Sequence, residues 1–360
     1  MSSDSSNRAE RTWLIYALGG GLGHLHRSLA LANAVAKRNV QASEKSKNAP
    51  QIAVRILTNS PFASRIAPEA EATTDAGIVR IPHDWGREET ISRVREVIAL
   101  QDFDTLIVDT FPRGLGGELP EVTENLECSR ALVHRDLNSR YAEKAEVAQA
   151  IQSFDRILVP GESAAYDSLP QANRTAPWLI RDSQDLLAPH DARKKLRVAS
   201  DKPVIAVLGC GKASELDEMR SIARRLADKF QTSAEVRFVS PLSAESNSAS
   251  SNDLIEITLW PFMDVLRGVS LVVGSGGYNT VHETSAVGVK LVGLPRRRMY
   301  DSQSQRLPSC DTAMTYQEIE NAVELHLASH ASEQTGPPPQ YENGVHKAVE
   351  VIEATTACRA

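Results

Sequence analysis

Three glycine-rich turns hold most of the residues whose types and spacing could do chemistry. They are GGGLGH at 19–24, GCGK at 209–212 and GSGG at 274–277, each between an apolar run and a helical pattern. Glycine lets the backbone approach a ligand closely, and the helix N-terminus that follows favours negative charge. Such turns predict contacts with an anion such as a phosphate. The first turn adds His24, whose imidazole can transfer a proton near neutral pH.

The third turn is followed by polar residues that suit a nucleotide. Backbone amides and the hydroxyls of Ser275 and Thr280 could cradle a diphosphate at the start of the next helix. Glu283 stands one turn further on, where it could accept hydrogen bonds from ribose hydroxyls. An ordinary capped helix with a solvated glutamate fits the same residues. A tight strand-to-helix turn is likewise the alternative for the second turn.

Neither of the first two turns fits a familiar nucleotide-binding pattern. The first has a histidine where GxGxxG needs its last glycine, and the second apolar run ends in Thr58-Asn59 instead of an acidic residue. The second turn has Ala206 where a P-loop needs its first glycine, and Ala213 after the lysine. These departures argue against a nicotinamide dinucleotide site and against a P-loop.

The elements that must position these turns are short β-rich runs alternating with helical segments, which predicts parallel sheets covered on both faces. The predicted strands are 13–18, 52–57, 77–82, 104–110, 130–134 and 156–160, then 203–209, 235–240, 254–260, 271–277 and 289–295. Helices are predicted after the first turn and near 89–101, 141–152, 214–230 and 345–357. The polar stretch 169–177 interrupts the pattern, and surface loops are predicted at 41–51, 243–253 and 331–344.

The length and the pattern together predict two domains. A chain of 360 residues, at about 150 residues per domain, suits an N-terminal domain at 1–175 and a C-terminal domain at 176–360. Each is expected to be a doubly wound, Rossmann-like α/β domain, and the two are expected to face a central cleft. The last helix could pack back on the first domain. Ligands of such sheets bind beyond the carboxyl ends of the strands, where the three turns fall.

The composition excludes several classes of protein. With 41% hydrophobic and 24% charged residues the chain is too apolar to be disordered, and a net charge of -6 argues against nucleic-acid partners. Four cysteines without a CxxC pair argue against a disulfide framework or a cysteine-rich zinc site. No apolar run is long enough for a signal peptide or a membrane span, so we expect a cytoplasmic protein, at most peripheral at the inner membrane face.

The three turns, in this order, resemble those of the glycosyltransferase family 28 group, which has the GT-B fold and includes the peptidoglycan N-acetylglucosaminyltransferase. The closer resemblance is to bacterial chains in that group that are predicted to be glycosyltransferases. The matching segments are GLGHLHRSLALA (21–32), VDTFPRGLGGEL (108–119), HRD (134–136), GGYNTVHE (276–283) and LPR (294–296), followed by Gln303 and Arg306. The second turn departs from the family, since Cys210-Gly211-Lys212 replaces its more usual serine and glutamine.

The resemblance implies an inverting transfer from a nucleotide diphosphate sugar, of the uridine class, to a hydroxyl acceptor. His24 matches the general base of related enzymes. Asp109, at the end of a buried run, is the candidate to orient it, with a loop-capping aspartate as the alternative. The first domain would present the acceptor, a lipid-linked molecule or a glycan, through Gly21, Gly23 and Arg113.

The second domain would hold the nucleotide sugar as co-substrate. No cofactor and no metal are expected, because no DxD stands at a strand end. The residues assigned to the donor and its diphosphate are Gly211, Lys212, Ser275, Gly276, Gly277, Asn279, Thr280, Glu283, Arg296, Gln303 and Arg306. For the two arginines, a solvated loop is the alternative.

Two other functions remain open. GxGH with an arginine at the third position after the histidine is also similar to nucleotide-sugar hydrolases of the nonulosonic-acid pathways, so a hydrolase or epimerase is the alternative enzyme. A non-catalytic nucleotide-sugar-binding protein is the third possibility, because fold alone does not determine function. His26 and Arg27 are expected on the solvated face of the first helix.

Overall fold

A computed structural model describes residues 10–66, 76–100, 102–242, 254–307, 311–329, 337 and 339–357. The predicted loop at 243–253, part of the one at 331–344, and Cys310 and Cys358 lie outside these residues. The chain divides into two compact units: unit 1 is Met1–Ile180 with Asn343–Ala360, and unit 2 is Arg181–Glu342. The sequence placed one boundary between residues 175 and 176 and left the position of the last helix open.

Unit 1 is built on one parallel sheet. Its described strands are β1 (Glu10–Tyr16), β2 (Gln51–Thr58), β3 (Gly77–Arg80), β4 (Thr105–Asp109), β5 (Ser129–Val133), β6 (Arg156–Pro160) and β7 (Ala172–Thr175). They lie side by side in the order β3-β2-β1-β4-β5-β6-β7. The helices that connect them are α1 (Leu22–Lys45), α2 (Arg87–Ala99), α3 (Leu119–Thr123), α4 (Ser139–Ala142) and α5 (Ala145–Gln152).

Three predictions for unit 1 are wrong. The first helix runs to Lys45, so 41–45 is not a loop; these mostly polar residues include good helix formers and continue the helix without needing burial. The helix predicted at 141–152 is divided into α4 and α5. The polar stretch 169–177 contains β7, which pairs with β6 through its main chain and, as an edge strand, buries no side chain fully.

Unit 2 repeats the architecture. Its described strands are β8 (Val204–Leu208), β9 (Glu235–Ser240), β10 (Ile255–Thr258), β11 (Leu271–Ser275), β12 (Lys290–Leu294) and β13 (Asp311–Thr312). They form a parallel sheet in the order β10-β9-β8-β11-β12-β13. The helices are α6 (Pro189–Lys195), α7 (Ala213–Phe230), α8 (Tyr278–Val287) and α9 (Tyr316–Ser329), with 3-10 helices at Ser183–Asp185 and Phe262–Gly268.

The last helix, α10 (Val345–Ala357), belongs to unit 1 and packs on α1. Its buried apolar residues follow helical spacing and are Val345, Ala348, Val349 and Ile352. Arg38 of α1 donates from Nε to Glu353 Oε2 over 2.9 Å. Just before the helix, the Asn343 side chain donates to the Leu179 carbonyl (2.9 Å) and accepts from its N–H (3.0 Å). Residues 343–357 therefore complete unit 1.

In each sheet the strand order reverses between two neighbouring strands, and the glycine turns follow the strands at these places. In unit 1 the reversal lies between β1 and β4, from which the first turn and Asp109 emerge. In unit 2 it lies between β8 and β11, from which the second and third turns emerge. Loops diverge at such points and leave room for a ligand. Within the described ranges, no helix is both long and apolar enough to cross a membrane.

Candidate functional site

His24 lies in the first turn of α1, with its ring over Gly19. A Cβ at Gly19 would lie 2.6 Å from His24 Nε2, so this position leaves no room for a larger residue. The loop after β2 braces the turn: the Gly19 N–H donates to Asn59 Oδ1 (2.8 Å), and Ser60 Oγ donates to the Gly21 carbonyl (3.0 Å). Gly21 itself precedes the first residue of α1. The first glycine turn is therefore built around the imidazole.

Asp109, the last residue of β4, connects His24 to Arg27. Its Oδ2 lies 2.8 Å from His24 Nδ1 and accepts from Arg27 Nη2 over 2.7 Å. Its Oδ1 accepts from Arg27 Nε (3.2 Å) and from the hydroxyl of Thr110 (3.1 Å). The side chains of Asp109 and Arg27 are each only 2% exposed. Two residues 85 positions apart in the chain are thus joined by a direct hydrogen bond.

The charges of this cluster determine where the imidazole carries its proton. Burial raises the pKa of Asp109, but Arg27 and then His24 outweigh burial and hold that pKa well below its usual range. Burial lowers the pKa of His24; Asp109 opposes this, and Arg27 and Arg135 add to it, so the net shift is downward. At neutral pH Asp109 is therefore an anion, and an uncharged His24 must donate from Nδ1.

This arrangement leaves the other ring nitrogen of His24 as a proton acceptor. Nε2 has no hydrogen-bond partner among the described residues, and 17% of the side chain is exposed. The ring of Phe111 packs beside the imidazole, with 5.4 Å between centroids. A neutral imidazole, oriented by a carboxylate through Nδ1 and open at Nε2, has the geometry of a general base.

The predicted acceptor-side residue Arg113 lies in the loop that follows Phe111. A buried network holds this loop: the Tyr16 hydroxyl donates to Glu118 Oε1 (2.6 Å) and accepts from the N–H of Leu115 (2.7 Å). Arg113 forms an ion pair with Glu146 over 3.5 Å. The structure thus places Arg113 at the same edge of the sheet as His24, held by its own carboxylate partner.

The prediction that His26 and Arg27 are solvated is wrong, because both side chains are buried. Arg27 lies one turn after His24 on the same helix and extends to Asp109. Two signals in the sequence could have identified it: its spacing of three from a candidate catalytic histidine, and an aspartate that ends an otherwise apolar strand and so requires a cation.

In unit 2 the second and third turns come together. The two turns follow β8 and β11, which pair side by side. Burial, followed by Glu283 and Glu215, raises the pKa of the Cys210 thiol to about 11. Gly276 passes close to the segment 303–307: a Cβ there would lie 2.8 Å from Leu307 Cδ1. Gly277 precedes the first residue of α8.

The polar residues at the start of α8 differ in their surroundings. Ser275, Asn279 and Thr280 are partly buried, whereas Glu283 is buried. The Oδ1 atom of Asn279 is inaccessible and has no hydrogen-bond partner among the described residues.

The loop after β12 brings three predicted donor residues together. Gln303 Oε1 accepts a hydrogen bond from the main-chain N–H of Arg296 (2.9 Å). The NH2 group of the Gln303 amide therefore points away from that N–H. Arg306 donates from Nη1 to the carbonyl of Gly276 (3.0 Å) and so joins the loop to the third turn. The arginines also have acidic partners: Arg296 contacts Glu218 and Arg306 contacts Asp301, both over 2.7 Å.

The second turn carries the remaining predicted residues. Gly211 and the exposed Lys212 precede α7, and the Lys212 N–H donates to Glu215 over 3.2 Å. Arg298, to which the sequence assigned no role, donates to the same carboxylate over 2.8 Å. Across the described part of the chain, no group of three or more His, Cys, Asp or Glu side chains could hold a metal ion.

Sequence comparison finds no matching family model and no matching curated protein. Solved structures do match in fold. A Listeria monocytogenes protein provisionally assigned as a UDP-N-acetylglucosamine 2-epimerase has a TM-score of 0.62 at 14% identity, covering 95% of each chain. The glycosyltransferase SnogD from Streptomyces nogalater has a TM-score of 0.58 at 14% identity, covering 96% of this chain and 99% of its own. The S. aureus protein MnaA, in a structure with UDP, has a TM-score of 0.59 at 12% identity, covering 95% of each chain.

The chain has the GT-B type of fold. The α/β class predicted from the sequence is therefore confirmed. At such low identities the similarity establishes the fold alone, so membership of family 28 and the roles of the site residues stay predictions.

Proposed function

We propose that the protein is an inverting glycosyltransferase that moves a sugar from a nucleoside diphosphate sugar, of the uridine class, to a hydroxyl acceptor. The observation that carries the proposal is the His24–Asp109 pair, with 2.8 Å between Nδ1 and Oδ2 and with Nε2 free of any partner among the described residues. At neutral pH, a hydroxyl group that attacks a carbon requires a base of this kind to remove its proton.

In the proposed step His24 Nε2 takes the proton of the acceptor hydroxyl while the hydroxyl oxygen bonds to the anomeric carbon. The bond from that carbon to the diphosphate oxygen breaks, and its electron pair leaves with the nucleoside diphosphate. Attack from the side opposite the leaving group inverts the anomeric carbon. Asp109 stabilises the imidazolium that forms, because its anionic Oδ2 accepts the hydrogen bond from Nδ1.

The donor is assigned to unit 2. The main-chain N–H groups at Ser275–Gly277 and the N-terminus of α8 would receive the departing diphosphate, whose extra negative charge they stabilise. The amide hydrogens of Gln303 would contact sugar hydroxyls, since Arg296 holds the amide oxygen. Glu283 would accept from the ribose. The UDP in the S. aureus MnaA structure, which shares the fold, supports the uridine class. The proposed step uses neither a metal nor a cofactor, and full activity in excess EDTA is its expected consequence.

The test is a set of variants assayed with a panel of UDP-sugars and hydroxyl acceptors, with products identified by mass spectrometry. His24→Ala should lower transfer more than tenfold while calorimetry still detects UDP binding, because unit 2 is unchanged. Loss of one general base typically costs about 100- to 10,000-fold. His190→Ala removes a ring that is 90% exposed and serves as the matched control. Unchanged turnover in His24→Ala would contradict the proposed role of the base.

A second candidate is a nucleotide-sugar epimerase or hydrolase. The observation in its favour is that the Listeria protein assigned as a 2-epimerase shares the fold, at a TM-score of 0.62, just as the glycosyltransferase SnogD does at 0.58. Incubation with UDP-sugars and no acceptor separates the two. A new epimer or stoichiometric release of the sugar indicates this alternative, whereas slow background release indicates a transferase. UDP binding without turnover on any substrate indicates a binding protein.

A further inference from the structure

Arg27 and Thr110 make up a set of contacts around Asp109 that the proposed general-base step does not itself use. The Arg27 guanidinium donates through Nε and Nη2 to Asp109 Oδ1, over 3.2 and 3.1 Å, and through Nη2 to Oδ2 over 2.7 Å. It also donates from Nη2 to the hydroxyl oxygen of Thr110 over 3.2 Å. That hydroxyl donates in turn to Asp109 Oδ1. Both carboxylate oxygens are therefore held in place.

The main chain at Thr110 has a strained conformation, which indicates that the contacts around Asp109 hold it in place. Thr110 is buried and has a φ of 77°, in the left-handed region that a β-branched residue rarely adopts. Such a conformation is strained, and it persists where the surrounding contacts require it. Glycine would relieve the strain but would remove the hydroxyl that bridges Arg27 and Asp109. The hydroxyl therefore gives a reason for a threonine at this position.

The direction of the hydrogen bonds fixes the protonation of the imidazole. Asp109 is ionised, so it accepts only, and His24 must place its proton on Nδ1. The Arg27 Nη2 atom lies 3.5 Å from the same Nδ1 and, being a donor, offers it no acceptor. If the carboxylate rotated away, this preference for the Nδ1–H form would be lost.

We propose that Arg27 is a positioning residue: by holding both oxygens of Asp109, with Thr110 as a bridge, it keeps the carboxylate against His24 Nδ1 and so keeps Nε2 of His24 available to accept a proton. This role rests on the proposed function only in that the proton would come from the acceptor hydroxyl. Arg27 touches neither substrate nor reacting atoms in this scheme. It acts through Asp109.

Arg27 also reduces the effect of Asp109 on the imidazole. The charged groups that interact with His24 are Asp109 from β4, Arg27 from α1 and Arg135 from the segment after β5. The positive charge of Arg27 offsets the negative charge of Asp109, so the neutral ring is favoured. With Arg27 replaced by a neutral residue, only Arg135 would oppose the carboxylate, and the pKa of His24 would rise.

The experiment is a titration of the full chain with 15N-labelled histidine, in which two-bond 1H–15N spectra report the pKa and the tautomer of each ring. The His24→Gln variant identifies the His24 signals. In the wild type, His24 should be in the Nδ1–H form at neutral pH, with a pKa below its usual value. In Arg27→Gln, the pKa should rise measurably above the wild-type value. Arg27→Lys keeps the charge but not the two-pronged contact, so it should shift the pKa less while the Nε2–H form becomes detectable.

Arg38→Gln is the matched control, because it removes another ion-paired arginine from the same helix, far from His24 in sequence. It should leave the His24 signals unchanged. If Arg27→Gln resembles this control in its His24 pKa, the role of Arg27 is only structural and the proposal fails. If Arg27→Gln does not fold, the wild-type tautomer still decides: an Nε2–H form overturns the proposal, and an Nδ1–H form together with a mixed tautomer in Arg27→Lys supports it.

The titration needs no substrate, so it separates this inference from the proposed function. A shifted pKa in Arg27→Gln together with no transferase activity on any acceptor would remove the function and keep the role of Arg27. Transfer that depends on His24, together with an unshifted pKa in Arg27→Gln, would keep the function and remove the role of Arg27.

Discussion

Acid should destabilise unit 1 through one buried histidine. His134, which follows β5, has a side chain that is 0% exposed. Its Nε2 accepts from the N–H of Tyr166 over 3.4 Å, and its Nδ1 has no hydrogen-bond partner among the described residues. Burial lowers the pKa of His134 from 6.5 to about 4, against a smaller opposing effect of Asp167. The ring is therefore held neutral in the folded chain.

The size of the effect follows from the two pKa values. The unfolded chain binds a proton at its usual pKa of 6.5, whereas the folded chain does so only at about 4. Because the folded value is the lower one, the stabilisation is complete above about pH 6.5 and is lost as the pH falls towards 4. A difference of about 2.5 units at about 1.36 kcal/mol per unit gives about 3 kcal/mol in total, of which about 2 kcal/mol is lost between pH 7 and pH 5.

The assay is urea unfolding at pH 7 and pH 5, followed by tryptophan fluorescence, to which the buried Trp13 and Trp178 of unit 1 contribute. His134→Gln keeps an acceptor for the Tyr166 N–H but does not titrate. The wild type should lose about 2 kcal/mol more than this variant over the interval. His190→Gln, at an exposed position in unit 2, should behave like the wild type. An equal loss in the wild type and in His134→Gln would refute the reasoning.

Two further predictions concern the site and the loop beside it. Gly19→Ala should displace the His24 ring, since a Cβ would lie 2.6 Å from its Nε2, and the Nδ1 hydrogen bond should be lost from the histidine NMR spectrum. Gly20→Ala, where a Cβ would meet nothing within 4 Å, should leave that spectrum unchanged, and equal spectra for both variants would contradict the prediction. Tyr16→Phe removes the hydroxyl that donates to the buried Glu118 and should cost about 1–3 kcal/mol in urea unfolding. A cost near zero would show that the contact contributes little.

The fold could be predicted from the sequence wherever side-chain burial determines an element. The run at 235–240 became β9 with the same bounds, and the fully buried β4 lies within the run predicted at 104–110. The strand β7 could not be predicted, because its residues are polar and it is held by main-chain pairing with β6. The two-residue β13 is too short for any pattern of side chains to indicate it.

Within the candidate site, the sequence predicted the residue types but not how they are connected. The family resemblance predicts His24 as the general base, and the position of Asp109 at the end of a buried strand predicts it as the partner; the two lie within hydrogen-bond distance. The sequence predicts a solvated Arg27, because helical periodicity indicates only which residues face the core. It does not indicate that a carboxylate far away in the sequence pairs with an arginine inside the core. The left-handed conformation of Thr110 has no local signal either, since no glycine marks it.

The return of α10 to unit 1 has a consequence for the order in which the chain can assemble during synthesis. Unit 2 is one continuous segment, Arg181–Glu342, so all of its residues have been made before the ribosome reaches Asn343. Unit 1 cannot be completed until its last helix has been synthesised, although the strands of its sheet are synthesised first. A chain that ends at residue 342 would therefore contain every residue of the C-terminal unit, while the α1 surface around Arg38 in the N-terminal unit would lack the helix that packs on it.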